Sequence, residues 1–410
     1  MEEKKERKMR DSGIPWIGEV TEGWEFSKIK YHCTMKSGDN ITALDISDNG
    51  EYPVYGGNGL RGFYKIYNKN GNHILIGRQG ALAGNVHLVN GKFWATDHAV
   101  IVTLKNDVFI NYFFRMLESM NLNQYAFDTA AQPGLSVSRI MNLNIVLPNL
   151  KEQHRIADFL GSKCSEIDTL IEHLRARMES AKEYKKAVIT EAVTKGLDKD
   201  AKMKDSGVEW IGEIPDGWKV VRFKHIASIK SNLVQPDKYM KYPQIAPDNI
   251  EKDTGRLLSH QTVEESGVIS GNHLFYRGQI LYSKIRPNLN KLTVAPFDGL
   301  CSADMYPIES KLPTLFMVYS MLSTYFVSQV SLIIQDRVKM PKINQEELGE
   351  IKVAVPSQQE MLTIADYLDS KCSEIDALLQ NYEYQIATLE EYKKSLIYEY
   401  VTGKKEVPEA

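Results

Sequence analysis

Residues 156–168 read IADFLGSKCSEID and residues 364–376 read IADYLDSKCSEID, and both stretches run on to Glu-Tyr-Lys-Lys at 183–186 and 391–394. A copy this close, 208 residues away, identifies an internal repeat, and a repeat fixes the architecture before any single motif does. Outward from it, apolar residues alternate spacings of four and three: Leu160, Cys164, Ile167, Ile171, Leu174 and Met178 in the first copy, and Leu368, Cys372, Ile375, Leu379, Tyr382, Ile386 and Leu389 in the second. That 3.5-residue period is a coiled-coil seam. No Gly or Pro interrupts either copy between Lys163 and Lys195 or between Ser370 and Thr402, so each predicts a helix of about 44 residues, roughly 65 Å long.

A second repeated segment precedes each copy. MRDSGIPWIGEVTEGW at 9–24 returns as MKDSGVEWIGEIPDGW at 203–218, 194 residues later. The change of offset requires a net 14-residue insertion in the second unit, and the segments between the repeats, about 34–145 and 228–352, share little sequence. The unit is therefore a similar entry, a divergent domain and a similar helix, used twice. If the two seams bury each other, the helices are antiparallel and the divergent domains sit at opposite ends. The C-terminus then lies near the N-terminal entry segment, and the molecule is pseudo-two-fold. The expected fold class is α+β: two mostly-β globular domains separated by two long antiparallel helices forming a coiled-coil spacer. The expected boundaries are a tail at 1–15, a first domain at 16–150, a first helix at 151–196, a second domain at 203–355, a second helix at 356–402 and a tail at 403–410.

The composition, 43% hydrophobic and 25% charged over 410 residues, is that of a globular protein with room for several cores. No apolar run is long enough for a membrane span and the N-terminus carries no apolar signal region, so a cytoplasmic protein is expected. Cys33, Cys164, Cys301 and Cys372 lie far apart without a C-x-x-C pair, which predicts ordinary buried thiols and neither a disulfide framework nor a zinc ribbon.

The first divergent domain predicts strands at HILIG, NVHLV and AVIVTL, turns at Asn70-Gly71 and Asn90-Gly91, and a helix around Phe109 to Met120. With 50 Lys and Arg against 53 Asp and Glu, net charge says nothing of nucleic acid, but its distribution does. From Tyr52 to Thr96 there is no acidic residue, whereas Arg61, Lys65, Lys69, Arg78 and Lys92 are basic. From Ser266 to Phe297 the same holds, with Arg277, Lys284, Arg286 and Lys291. Lys and Arg neutralise phosphates, and Arg, Asn and Gln can bond base edges in pairs, so an acid-free face in both halves points to double-stranded DNA. The candidate contacts are Asn58, Arg61, Lys65, Arg78, Gln79, Lys92 and Arg139 in the first domain. In the second they are Lys284, Arg286, Asn288, Asn290, Lys291, Arg337 and Lys339. The bland reading of each lysine is a solvated surface charge.

The stretch Gly57-Asn58-Gly59-Leu60-Arg61-Gly62 matches G-x-G-x-x-G, but a dinucleotide site needs a helix opening on the glycines and an acid about twenty residues later. The chain continues instead as FYKIYNKNGN, which alternates and then turns, and no acid appears before Asp97. The match is therefore accidental and reads as a flexible loop approaching DNA. No phosphate-binding GxxxxGK[ST] loop, Asn-Pro-Pro or Asp-Pro-Pro tetrapeptide, or HExxH is present. A nuclease built from Pro215-Asp216, Pro236-Asp237 or Pro247-Asp248 with Glu350-Ile351-Lys352 is a remote alternative. A freestanding two-domain DNA-binding or architectural protein is the nearer one.

The chain resembles the DNA specificity subunits of type I restriction-modification systems, which alternate two target recognition domains with two long repeated helices. The resemblance rests on the two entry segments and on YPVYGGNGLRGFY, ILIGRQGALAGNV, KFWATDHAVIV and GLSVSRIMNLNIVLPNLKEQHRIADFL in the first half. In the second half it rests on GQILYSKIRPNLNK, CSADMYPI and VKMPKINQEELGEIKVAVPSQQEMLTIADYL. It covers about residues 9–402; one departure is Gln358-Gln359-Glu360 where the first copy has Lys151-Glu152-Gln153. The resemblance implies a non-catalytic subunit serving defence against foreign DNA. It would read an asymmetric bipartite target, one half per domain, and bind two methyltransferase (modification) subunits and, through them, translocase-nuclease (restriction) subunits. S-adenosylmethionine, ATP and magnesium would belong to those partners, with no cofactor in this chain.

Overall fold

The computed structural model describes residues 8–80, 83–125 and 134–408. Residues 1–7 and 409–410 of the expected tails, and Ala81 and Leu82 within the quoted ILIGRQGALAGNV, lie outside them. The chain divides into two compact units, one of residues 1–174 with 384–410 and one of residues 175–383. The two long helices span Leu150–Lys195 and Gln358–Val401, within two residues of the expected limits at either end, and each unit contains part of both.

In the first unit the strands are β1 (Met9–Asp11), β2 (Glu19–Thr21), β3 (Glu25–Lys28), β4 (Cys33–Ser37), β5 (Tyr52–Gly56), β6 (Gly59–Tyr64), β7 (Lys69–Asn70), β8 (His73–Gly77), β9 (Val86–Val89), β10 (Lys92–Ala95), β11 (Ala99–Leu104) and β12 (Asn144–Leu147). Two four-stranded sheets carry the domain, in the orders β4-β11-β8-β9 and β6-β5-β10-β7, with β5 and β10 parallel. The alternation read in HILIG and AVIVTL becomes β8 and β11, paired Ala99↔Gly77 to Val102↔Ile74. The apolar face of the helix Ile110–Ser119 (Tyr112, Phe113, Met116, Leu117) packs on Ile74, Ile76, Val100 and Val102.

The second unit begins with β13 (Met203–Asp205), β14 (Glu213–Pro215), β15 (Lys219–Arg222), β16 (Ala227–Ile229), β17 (Leu233–Val234), β18 (Pro243–Ile245) and β19 (Gln261–Thr262). It continues with β20 (Asn272–Phe275), β21 (Ile280–Ser283), β22 (Leu292–Val294), β23 (Gly299–Cys301), β24 (Met305–Ser310) and β25 (Lys352–Val355). Its sheets run β16-β24-β21-β22 and β17-β20-β23-β18-β19, with β18 and β23 parallel. Strand for strand this is the first unit's topology with β17 added at one edge. The two-residue turn between β5 and β6 is replaced by the long connection 246–260, which accounts for most of the inserted chain. Two segments with little common sequence thus share one fold, because the period-2 pattern and turn positions, which dictate pairing, differ less than the residues that fill them.

Both entry segments form the same hairpin, Met9↔Thr21 in one unit and Met203↔Pro215 in the other. In each, an Asp side chain accepts from the glycine two residues on, at 3.0 Å (Asp11 from Gly13) and 2.9 Å (Asp205 from Gly207). Their tryptophans, Trp24 and Trp218, are buried against the glycines that end the long helices. A Cβ on Gly403 would stand 3.0 Å from the Trp24 ring, and one on Gly196 3.2 Å from that of Trp218. In the first unit this joins the two ends of the chain. Tyr398 donates its hydroxyl to the Ile17 carbonyl at 2.8 Å, and Thr21 donates to the Gly403 carbonyl at 2.5 Å. Residues 9–15 lie in the hairpin, Lys405 N–H bonds back to the Glu399 carbonyl at 3.1 Å and the Val407 carbonyl accepts from Arg155 at 3.3 Å, so both segments are built into the unit, contrary to the expectation of tails.

The seam is buried where a domain covers it. Leu160, Cys164, Ile167 and Ile171 join the first unit's core with Leu396, Ile397, Tyr400 and Val401, while Leu368 and Cys372 join the second's with Val188, Ile189, Ala192 and Val193; Leu174 and Ile375 are buried as well. Met178, Leu379, Tyr382, Ile386 and Leu389 are half-buried, Ile386 and Leu389 packing against the edge of the first unit's core. The helices run antiparallel in each unit, and each unit carries an interhelical ion pair across the seam: Asp168–Lys393 at 2.7 Å in the first and Lys185–Asp376 at 2.7 Å in the second. These are the same two positions of the repeat, used reciprocally.

Candidate nucleic-acid interface

In the first unit the ends of β5, β8 and β10 place four of the expected contacts together. β5 and β6 form a tight hairpin, Gly56↔Gly59, with Gly57 and Asn58 at its turn, so the glycine stretch is a strand-turn-strand with no helix. That removes the dinucleotide reading on structural grounds, and it corrects the expectation of a flexible loop: Arg61 stands on β6, at a bulge between the pairs Val54↔Gly62 and Tyr55↔Leu60. Its side chain crosses Gly56, whose missing Cβ would meet Arg61 Cδ at 2.4 Å. The hairpin tip abuts the next segment closely, since a Cβ on Gly57 would lie 3.2 Å from the Gln79 carbonyl oxygen and 3.3 Å from that of His98.

Arg78 and Gln79 follow β8. Arg78 donates its backbone N–H to the His98 carbonyl at 2.9 Å, its carbonyl accepts from Leu135 at 2.9 Å, and its guanidinium bonds Ser37 Oγ at 3.3 Å. Asn58, Arg61, Arg78 and Gln79 are all exposed. His87 lies beside Gly59, at 3.4 Å from where its Cβ would be, and burial pushes the His87 imidazole below its ordinary pKa of 6.5, so it is a neutral wall to this cluster.

Lys65 and Lys92 lie at the other end of the same sheet, because β10 runs parallel to β5 and Lys92 starts it. Lys92 is held 4.9 Å over the Tyr67 ring, which packs edge-on against Tyr52. Arg139 sits in the short helix Val137–Met141 and not in a loop; its guanidinium lies 5.5 Å over Tyr125 and bonds the Tyr125 carbonyl at 3.4 Å.

The second unit repeats the arrangement at the backbone. Lys284 occupies the place of Arg78: its N–H donates to the Asp304 carbonyl at 2.9 Å and its carbonyl accepts from Ile343 at 3.0 Å. Its ammonium lies 5.4 Å over Tyr306 and helps lower the pKa of buried His273, where burial is the larger cause. Arg286 and Asn288 are exposed. Arg286, Asn290 and Met340 all hold left-handed backbone, at φ of +43°, +42° and +46°, in two neighbouring loops joined by the bond from Arg286 N–H to the Pro341 carbonyl, 2.8 Å. Such a conformation costs about 1 kcal/mol or more at each non-glycine residue and collects where a function requires it.

Three expected contacts are otherwise committed. Asn290 is 1% exposed and donates to the Met321 carbonyl at 3.1 Å, so it fixes its loop from inside. The Lys291 ammonium bonds the Pro247 carbonyl at 2.8 Å and faces Asp248 at 3.6 Å. Arg337 is engaged by Glu347, one of its two contacts being 3.1 Å. Lys339 is exposed and makes no ion pair among the described residues.

No group of His, Cys, Asp or Glu converges as a metal site among the described residues. The carboxylates of the imagined nuclease are dispersed: Glu350 pairs with Arg222 at 3.2 Å, Asp248 faces Lys291, and Asp216 faces Lys204 at 3.9 Å. All four cysteines are free and buried, and burial raises each thiol, Cys33 to about 12. No single helix among the described residues is long and apolar enough to cross a membrane.

Residues 21–179 match the model of the type I restriction modification DNA specificity domain. The EcoDI specificity subunit of Escherichia coli is 34% identical over 61% of this chain and 60% of its own length. The MjaVIII specificity subunit of Methanocaldococcus jannaschii is 27% identical over 94% of this chain and 93% of its own. The chain is thus similar to the type I restriction-modification specificity subunits. It spans only 60% and 38% of the lengths of the EcoDI and EcoprrI specificity subunits, respectively. A solved chain from a study of complex assembly and conformational transition of the type I R-M system superposes with a TM-score of 0.66 at 15% identity, covering 94% of this chain and 99% of that one, and this likeness concerns the fold.

Proposed function

We propose that this chain, as a type I specificity subunit, reads an asymmetric bipartite DNA target, one half with each β-rich domain, and carries no catalytic step itself. The observation that supports this most is the pairing of one backbone arrangement with two different sets of side chains. Arg78 and Lys284 occupy the same place in the same topology, yet Asn58, Arg61 and Gln79 surround one while Arg286, Asn288 and Lys339 accompany the other. Shared geometry with divergent donors suits two readers of unlike half-sites. The long helices, at 1.5 Å per residue, suit a spacer that fixes the gap between half-sites. Their repeated surfaces suit two copies of one methyltransferase partner, and restriction subunits would join through it. Lys65, Lys92 and Arg139, already held by aromatics or lying apart from the tips, suit phosphate contacts rather than base readout.

The test is reconstitution. The chain alone should neither methylate nor cleave DNA, while addition of its modification subunit should yield methylation of one bipartite sequence, mapped by modified-base sequencing. Exchange of 34–145 for another such domain should change one half of that sequence; a change in both halves, or activity of the isolated chain, would overturn the reading. Failure of any methyltransferase to co-purify would favour a freestanding DNA-binding protein.

A further inference from the structure

The loop 335–342 of the second unit carries two apolar side chains that the fold leaves in water. Val338 is 93% exposed and Met340 55% exposed, although both stand in a segment whose backbone is pinned on either side. Arg337 is held by Glu347, Pro341 accepts from Arg286 N–H, and Ile343 donates to the Lys284 carbonyl. Lys342, between them, is tied to Asp304 at 3.1 Å. The loop is thus a fixed projection. Its tip holds Met340 in left-handed backbone at φ +46°, beside Arg286 and Lys284, with exposed Lys339 between the two apolar residues.

We propose that Val338 and Met340 form an apolar wedge that enters between base pairs of the second half-site and partly unstacks one step. The proposal rests on the DNA-reading assignment above and goes beyond it by giving that site a deforming element. Exposed apolar residues cost solubility unless something covers them. Exposed Arg286 and Lys339 beside them make no ion pair among the described residues and outnumber the loop's exposed carboxylate, Asp336, so the complementary cover is a polyanion with an apolar interior. Stacked bases flanked by phosphates have that character, and apolar side chains inserted at a base step are how proteins kink a duplex. A rigid loop suits a wedge, since a mobile one would yield before the stack does. The deformation also makes recognition depend on how easily that step opens, so flexible pyrimidine-purine steps should be favoured at a position no side chain hydrogen-bonds.

The experiment uses the subunit assembled with its methyltransferase partner, on a duplex carrying the mapped target with 2-aminopurine placed through the second half-site. The wild type should raise the fluorescence of one 2-aminopurine position. Val338→Ser with Met340→Ser should abolish that rise and weaken specific binding about tenfold, comparable to one mismatched base pair, leaving the salt dependence unchanged. Lys339→Ala should instead lower the salt slope. If the serine variant keeps the fluorescence rise and the affinity while Lys339→Ala and Arg286→Ala weaken binding, the wedge is refuted and DNA reading stands. If none of these variants alters DNA binding, both fall. Loss of the methyltransferase from the complex with DNA affinity intact would make the pair a protein interface and overturn the wedge.

Discussion

Replacing Lys185 by methionine, by aspartate, and by aspartate together with Asp376→Lys gives a graded test of the helix register. The Lys185 side chain is 11% exposed and Asp376 48% exposed, so the pair is intermediate between a surface bridge, worth about 0–1 kcal/mol, and a fully buried one, whose breaking costs about 3–5 kcal/mol. Lys185→Met keeps the aliphatic stem in the seam and leaves a carboxylate that water can reach, so a loss of about 1–2 kcal/mol is expected. Lys185→Asp sets two carboxylates facing each other across the seam and should lose distinctly more. Restoring opposite charge with Asp376→Lys should recover most of the difference, giving a coupling energy of about 1–2 kcal/mol in the double-mutant cycle. Urea unfolding followed by tryptophan fluorescence suits the measurement, because Trp218 is buried in the same unit and urea, unlike guanidinium chloride, does not screen charge. Additive effects, or equal losses for Met and Asp, would refute the reasoning that this contact selects the antiparallel register. The equivalent exchange at Asp168 and Lys393 should give a smaller loss, because Lys393, at 21% exposed, is better hydrated.

Single positions offer further tests. Gly62 has φ +144° and a Cβ there would stand 2.6 Å from Ile46 Cγ2 and 2.7 Å from the Ser47 carbonyl oxygen, so Gly62→Ala should cost about 2–3 kcal/mol in thermal unfolding. Arg286→Gly relieves left-handed backbone and should leave the melting temperature equal or higher while weakening binding to the second half-site. Asn290→Ala should do the reverse, lowering stability by about 2 kcal/mol through the lost bond to Met321, and a direct loss of DNA affinity in the folded variant would contradict its internal role. His87 and His273 titrate below the ordinary value of 6.5, so the unfolded chain binds more protons there than the native one. Stability should therefore fall as pH drops below about 6.5, and His87→Gln should flatten part of that slope in urea midpoints measured across pH. The four thiols should resist iodoacetamide at pH 8 in the native protein and react together on unfolding.

The helices and their seam were legible because repetition and a 3.5-residue period act over dozens of residues, so local noise averages out. The strands HILIG and AVIVTL were legible for the same reason of period, and the helix near 109–120 by its apolar face. The common topology of the two domains was not visible, since pairing order is set by long-range partners that leave no shared residues. A clue existed in ILIGR and ILYSK, whose terminal cations prove equivalent. Composition reports which side chains could bind DNA and is silent on which the fold has already engaged: a left-handed turn buries Asn290 and Glu347 pairs with Arg337. Lys65 and Lys92 are near Arg61 and Arg78 in sequence, yet the sheet places them at its opposite end.

The docking of the last helix against the first hairpin has a consequence for how the chain is made. The second unit is a continuous stretch of the polypeptide, whereas the core of the first includes Leu396, Ile397, Tyr400 and Val401, which are translated after the whole of the second unit. Emerging from the ribosome, the first domain must wait with part of its apolar surface uncovered until the second unit has been made, while the second can close beforehand. The order of maturation is thus inverted relative to the order of synthesis, and the first unit, with the longest loop to close, is where slow folding and chaperone dependence should concentrate.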